Sequence, residues 1–412
     1  MLGYKVKKMK RISLVLFALM LFTTWQCAKK GPMLPLTKKW EKVVPQQEVP
    51  AGLPSLKAAD CGICHPSHYE EWKLSTHAHA WSDLQFQAEL KKESSPFMCI
   101  NCHIPLQNQQ EYIVKGLIDG DIYQPVREKN PLFDPELQKE GITCAACHVR
   151  DNVIIGPTGG NGNLPHPVVK DTVHLSSENL CINCHNAVAV LTPELACTFE
   201  TGDEWKAGPF ADEKDCKSCH MEPITREIMP GFGEKLTHRH YFTGSGIPKF
   251  DTVQTTVLNG LAFYPSEVLE TYQAGEPLNY NFRAKNEHAG HRVPTGDPER
   301  FILFHFTLFD VAGDTLKHLT ERIGEEWEWY PEAKKLTDNN LDPGEEVNYR
   351  FTPVLQDTGQ YRMLVRVEKH RLNKANAEYN KLGDHYPLYI EILNREYTFK
   401  VSAEETAGGA NP

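Results

Sequence analysis

The stretch DCGICHPSHYEEWKLSTHAHAW, residues 60–81, decides how the chain is read, because its pentapeptide Cys-x-x-Cys-His returns four more times. The five copies are CGICH at 61–65, CINCH at 99–103, CAACH at 144–148, CINCH at 181–185 and CKSCH at 216–220. Composition alone would give roughly 0.015 such pentapeptides in a chain like this, so five are no accident. A zinc site asks for two cysteine pairs, or one pair with later histidines, and a thioredoxin-like motif for a single pair. Neither asks for a histidine after every pair. Two thiols at this spacing form thioethers to the vinyl groups of haem c, and the histidine that follows ligates the iron. The attachment pairs are then Cys61 and Cys64, Cys99 and Cys102, Cys144 and Cys147, Cys181 and Cys184, and Cys216 and Cys219. The proximal ligands are His65, His103, His148, His185 and His220, for five covalently bound haems c.

Residues 1–26 read as a secretory signal peptide. Lys5, Lys7, Lys8, Lys10 and Arg11 precede the apolar run ISLVLFALMLF, which is short for a membrane span. Export is also what thioether attachment requires, so the expected location is the periplasm or the outer-membrane and cell surface. Cys27 follows directly and leaves two readings open: a lipidated N-terminus, for which Thr24, Trp25 and Gln26 make a poor lipobox, or ordinary cleavage leaving a free thiol. Without these 26 residues the charge goes from −10 to −15, with 39 basic against 54 acidic side chains. Such acidity argues against nucleic acid and is compatible with cationic patches on redox partners.

Residues 27–57 are rich in Pro, Lys and Gln without a helical or strand period, and are expected to be a tether. From 58 to 249 the motifs recur every 35 to 45 residues, too few per haem for an ordinary side-chain core. Short helices and loops wrapped around macrocycles are expected there. After residue 250 there is no cysteine. The runs LNYNFRAKN, RFILFHFTLFDV, EEVNYRFTPVL, QYRMLVRVEKH and PLYIEILNREYTFKV predict an antiparallel β-sandwich of immunoglobulin-like size over 250–403. A short helix is expected near KANAEYNKL, and 404–412 reads as a disordered tail. The expected fold class is thus α+β and multidomain: a mainly α/loop multihaem domain followed by an all-β sandwich.

Whether each iron is closed on its second face separates an electron carrier from an enzyme, since a vacant position binds substrate. Of the thirteen remaining histidines, His77, His166, His174, His240 and His291 are the favoured distal ligands. His77 is preferred to His79, and His240 to His238. His68 lies too near His65 to serve another face of the same haem. His305, His318, His370 and His385 read as sandwich residues. Should His291 reach an iron, a coordinate bond would clamp the sandwich to the haem domain.

The runs CGICHPSHYEEWKLSTHAHAW, GITCAACH, DEWKAGPFADEKDCKSCHMEP, HYFTG and HAGHRVPTG resemble segments of the cytochrome c554-type multihaem family over roughly residues 58–300. The resemblance implies that His77 ligates a haem other than its neighbour and that His166 closes the first haem. The fifth haem and the sandwich depart from the four-haem type. Pentahaem nitrite reductases carry Cys-x-x-Cys-Lys at the catalytic haem, whereas all five motifs here end in histidine. Two functions remain in view. One is electron transfer with a quinol-oxidising membrane cytochrome or other multihaem cytochromes, as monomer or oligomer. The other is an oxidoreductase acting on a small nitrogen or sulfur compound at one five-coordinate haem.

Overall fold

In the strand Phe301–Phe309 every second side chain is buried, with Phe304, Phe306 and Leu308 each at 0% exposure. That alternation is what a strand with one face on a core demands. The computed structural model describes residues 31–93, 95–160, 164–192, 195–250, 257–329 and 331–403. The signal segment at 1–26, Cys27 and the tail at 404–412 lie outside the described residues.

Two sheets face each other across the C-terminal core. The first orders the strands Leu261–Pro265, Tyr280–Asn286 and Glu346–Phe351, all antiparallel. In the second, Thr271–Gln273 pairs in parallel with Tyr389–Ser402, followed antiparallel by Gly359–His370, Phe301–Phe309 and Thr315–Gly324. Tyr280, Phe282 and Phe351 of one sheet interleave with Phe304, Phe306, Met363, Val365 and Phe399 of the other. Phe282 and Phe306 meet at 5.6 Å and 68°, an edge-to-face contact that offers one ring's positive rim to the other's face. The turn at Ala312 and Gly313 is built by Asp310, whose carboxylate accepts from the amides of Ala312 and Asp314. Gly313 sits at φ +90°, which its missing Cβ permits. The helix Lys374–Tyr379 is capped by the Asn373 side chain.

Five further strand segments carried no pattern to announce them. Thr315–Gly324 is an edge strand exposed along its first four residues, so it reads as polar. Leu261–Pro265, Thr271–Gln273 and the hairpin Glu326–Glu328 with Lys334–Thr337 are short.

In the motif-bearing half the helices are one or two turns long, and hairpins join them more often than the α/loop reading anticipates. Pro223–Glu227 pairs with Glu234–His238, and Ala187–Thr192 with Leu195–Phe199. The side-chain core there is confined to small clusters, such as Leu56, Leu106, Leu137, Ala145, Ala146 and Val149.

Residues 38–57 are not the tether expected from their composition. Glu41 and Gln47 are buried at 6% and 5% exposure. The Gln47 amide donates to Asn108 Oδ1 at 3.0 Å, and Asn108 Nδ2 returns to the Gln47 carbonyl at 2.8 Å. Asn101 Nδ2 holds the Glu41 carbonyl at 2.8 Å. Side-chain amides, with the single bridge of Val44 to Leu106, hold this aperiodic backbone, so the segment is fixed without showing a period.

The described chain forms two units. The smaller spans residues up to Thr37 and Tyr112–Asn130, and consists of a sheet of Met33–Leu34, Tyr112–Ile118 and Pro125–Lys129. The larger holds all five motifs together with the sandwich. Within it, Tyr386 donates to Asp83 at 2.7 Å, Gln85 to Glu299 at 3.0 Å, and Asn380 to Glu89 at 2.8 Å. No helix among the described residues is long and apolar enough to cross a membrane.

Candidate functional site

Each pentapeptide lies in a short helix: Ala58–Cys64 with His65 as its cap, Phe97–His103, Cys144–His148, Ile182–His185 after Cys181, and Cys216–His220. Positions i, i+3 and i+4 share one helical face, so two sulfurs and an imidazole point the same way. Asp215 caps the last of these, accepting from the Ser218 amide at 2.9 Å.

The imidazoles are set by one recurring device, in which Nδ1 meets a backbone carbonyl. His65 reaches Ile228 at 3.0 Å, His103 Ala80 at 2.8 Å, His148 Ile155 at 3.0 Å and His220 Thr243 at 2.5 Å. His240 and His291 do the same with His238 and Arg292, at 2.9 and 2.8 Å. A carbonyl at Nδ1 fixes the tautomer and leaves the Nε2 lone pair for a metal. Burial pulls His77 and His240 down to about 3, and His103 and His185 down to about 4. All four are therefore neutral at physiological pH, the ligating form.

Four of the motif histidines each lie close to a second imidazole. The ring centroids are 6.2 Å apart for His65 and His166, 6.3 Å for His185 and His77, 6.2 Å for His148 and His240, and 6.2 Å for His220 and His291. Two imidazoles on opposite sides of one metal, with metal–nitrogen bonds of about 2 Å, put their centroids roughly 6.3 Å apart. The residues therefore fit haem c, in attachment chemistry and in axial spacing alike.

His174, favoured as a distal ligand in the sequence, is placed differently from the other four. His174 opposes no proximal ring among the described residues; its Nε2 lies 3.2 Å from the Cys147 carbonyl. His103 has no facing imidazole in the described part, and its ring stacks on Phe86 at 3.6 Å and 6°.

Sequence reasoning missed the groups that hold these histidines. Glu71, 5% exposed, takes Arg226 bidentately at 2.5 and 2.8 Å and Arg239 at 3.2 Å, and accepts the His240 amide at 2.8 Å. Burial alone would raise its pKa, but the Arg226 hydrogen bond, the His240 amide and the Arg226 charge together hold it below the ordinary range. Glu204 accepts from the Arg292 amide at 3.2 Å and Thr295 Oγ1 at 2.7 Å, pinning the loop of His291. Arg292 in turn grips Asp338 at 2.9 and 2.6 Å. His68 was set aside in sequence, yet it lies between ligands, 6.0 Å from His65 and 4.9 Å from His240. Its Nε2 meets Thr237 Oγ1 at 3.1 Å.

Thiols from different motifs touch. Cys61 hydrogen-bonds Cys144, Cys184 bonds Cys102, and Cys181 bonds Cys216. Burial pushes Cys99 up to about 12 and Cys147 to about 11. A cavity of about 420 Å³ lies beside the fifth motif and is lined by Trp205, Lys214, Lys217, Ser218 and His238 among others.

With this geometry in hand, residues 60–118 match the family described as cytochrome c554 and c-prime. The chain resembles cytochrome c554. Its fold is similar to that of a penta-heme cytochrome c552 from Thermochromatium tepidum, at 16% identity and TM-score 0.58, covering 83% of this chain and 98% of that one. Two other structures overlap only partly. The CARDB domain of PF1109 from Pyrococcus furiosus gives TM-score 0.19 at 18% identity, over 35% of this chain and 86% of that one. A beta-glucosidase from Listeria innocua gives TM-score 0.18 at 15% identity, over 34% of this chain and 16% of that one. No curated protein matches. The cytochrome c554-like match and the penta-heme neighbour support covalently bound haem c, in a mixed α and β fold with helices in the N-terminal part and strands dominating the C-terminal part.

Proposed function

We propose that this chain is a pentahaem c-type cytochrome that transfers electrons in an exported respiratory chain. The observation that carries the reading is the set of four imidazole pairs at 6.2 to 6.3 Å, the spacing that closes both faces of an iron. Bound haem supplies reversible one-electron iron chemistry. The protein's part is to hold each imidazole neutral, fix its tautomer through a carbonyl, and keep solvent from the rings. His65 with His166, His185 with His77, His148 with His240 and His220 with His291 are the proposed axial pairs. The contacts of Cys61 with Cys144, Cys102 with Cys184 and Cys181 with Cys216 bring together attachment points of motifs one and three, two and four, and four and five. Cys147 and Cys184 also feel each other's charge, which joins motifs three and four. The proposed electron path therefore runs from motif one through three to four, with branches to two and five. Periplasmic or outer-surface placement, a lipid anchor at Cys27, and redox partners such as a quinol-oxidising membrane cytochrome complete the reading.

His103 favours a second reading. With no facing imidazole among the described residues, its haem would take a small ligand, as an oxidoreductase for a nitrogen or sulfur compound requires. Carbon monoxide added to the fully reduced protein tests both. Electron transfer alone predicts no binding and wholly low-spin spectra, whereas the oxidoreductase reading predicts binding at a single haem per chain. Binding at three or more haems would overturn the axial pairs.

A further inference from the structure

Where the sandwich meets the segment 83–90, four cationic side chains converge on too few anions. Lys249 pairs with Asp83, itself 4% exposed. Arg371 donates to the carbonyls of Ile247 and Pro248 at 2.8 and 2.9 Å and to Tyr386, with Asp83 at 3.9 Å. Lys369, 8% exposed, has the Leu258 carbonyl at 2.9 Å. Arg300 has the Thr295 carbonyl at 3.1 Å. Phe301 pairs with His370 across the sheet, so Arg300, Lys369 and Arg371 emerge at the same end of adjacent strands. The nearby carboxylates are Asp83, which faces Lys249 and Arg371, and Asp297, which faces Arg300. Glu299 offers no third charge: burial first, then Asp297, pushes it up to about 8. Four cations therefore stand against two ionised carboxylates, and Lys369 and Arg300 lack a full partner. An uncompensated buried cation is costly, so an anion is implied. The charge of Arg300 is felt at His185 and His291, and that of Lys249 at His103.

We propose that Arg300 and Lys369, both supplied by the sandwich, form a carboxylate-binding site for the propionates of the haem attached through Cys181, Cys184 and His185. The inference rests on the haem-carrying reading above. A guanidinium fork matches a carboxylate edge to edge, and an ammonium beside it takes the second propionate as a point charge. The sandwich would then set the reduction equilibrium of a haem to which it contributes no ligand.

The test is a redox titration of the full-length holoprotein, each haem followed by its own spectrum, for Arg300→Gln, Arg300→Lys and Lys369→Met. Removing positive charge should move the reduction equilibrium of the His185 haem at least tenfold toward the oxidised form, about 59 mV for one electron. Arg300→Lys should recover most of that, and Lys369→Met should shift the same haem in the same direction. If Arg300→Gln fails to accumulate, Lys369→Met decides alone. Less than a twofold change at every haem in the variants that accumulate would overturn the proposal. So would a wild-type equilibrium that moves with added inorganic phosphate and stops doing so in the variant, because the site would then hold a free anion. Haem counting by intact mass separates the two failures, since protein without haem sinks the parent reading rather than this one.

Discussion

Replacing Glu71 with alanine removes the anion on which Arg226, Arg239 and the His240 amide converge. The Glu71 side chain is 5% exposed and that of Arg226 14%, so water cannot replace the lost partner. Breaking a buried pair by deleting one member costs about 3–5 kcal/mol, because the other charge stays buried and unpaired. At an m-value of about 3 kcal/mol/M, that is a fall of about 1 M or more in the urea midpoint. Because the same carboxylate holds the backbone of His240, the haem proposed to lie between His148 and His240 should also become partly high-spin. The sign with pH follows from a folded pKa held below the ordinary value. The stabilisation is complete above the unfolded carboxylate pKa of about 4.3, and is lost as pH falls through the lower folded value. The variant should lack that acid-side loss. Urea unfolding followed by circular dichroism, with absorbance for spin state, measures both effects. Stability within about 0.5 kcal/mol of wild type with an unchanged spectrum would refute the role given to this ion cluster.

His291→Ala should produce one high-spin haem, restored to low spin by added imidazole, as read by absorbance. His174→Ala should leave every haem low-spin or high-spin as it was, since its ring meets a carbonyl and not a facing imidazole. Phe304→Ala, at a site with 0% exposure in the sandwich core, should cost about 3–5 kcal/mol by urea unfolding without altering the haem spectra.

The parts of this molecule visible in its sequence are those with a short local rule. Cys-x-x-Cys-His repeats because one helical turn can present two sulfurs and an imidazole together, and so all five motifs could be read directly. Strands such as Phe301–Phe309 announced themselves by alternation, whereas Thr315–Gly324 did not, being an exposed edge. Axial pairing obeys no local rule: His77 faces His185 from 108 residues away in the chain, and His174 looks as suitable as His166 until its carbonyl contact is seen. Glu71 was invisible for the same reason, since its partners Arg226 and His240 lie in the distant hairpin region. Residues 38–57 misled because amide side chains and one isolated bridge, not a periodic strand, hold their backbone.

The most direct test of the account is the intact mass of the purified chain, read with its pyridine haemochrome spectrum. The account predicts five haems per polypeptide, each surviving denaturation through its thioethers. A mass equal to the bare polypeptide, or fewer than five haems on a homogeneous folded protein, would contradict it.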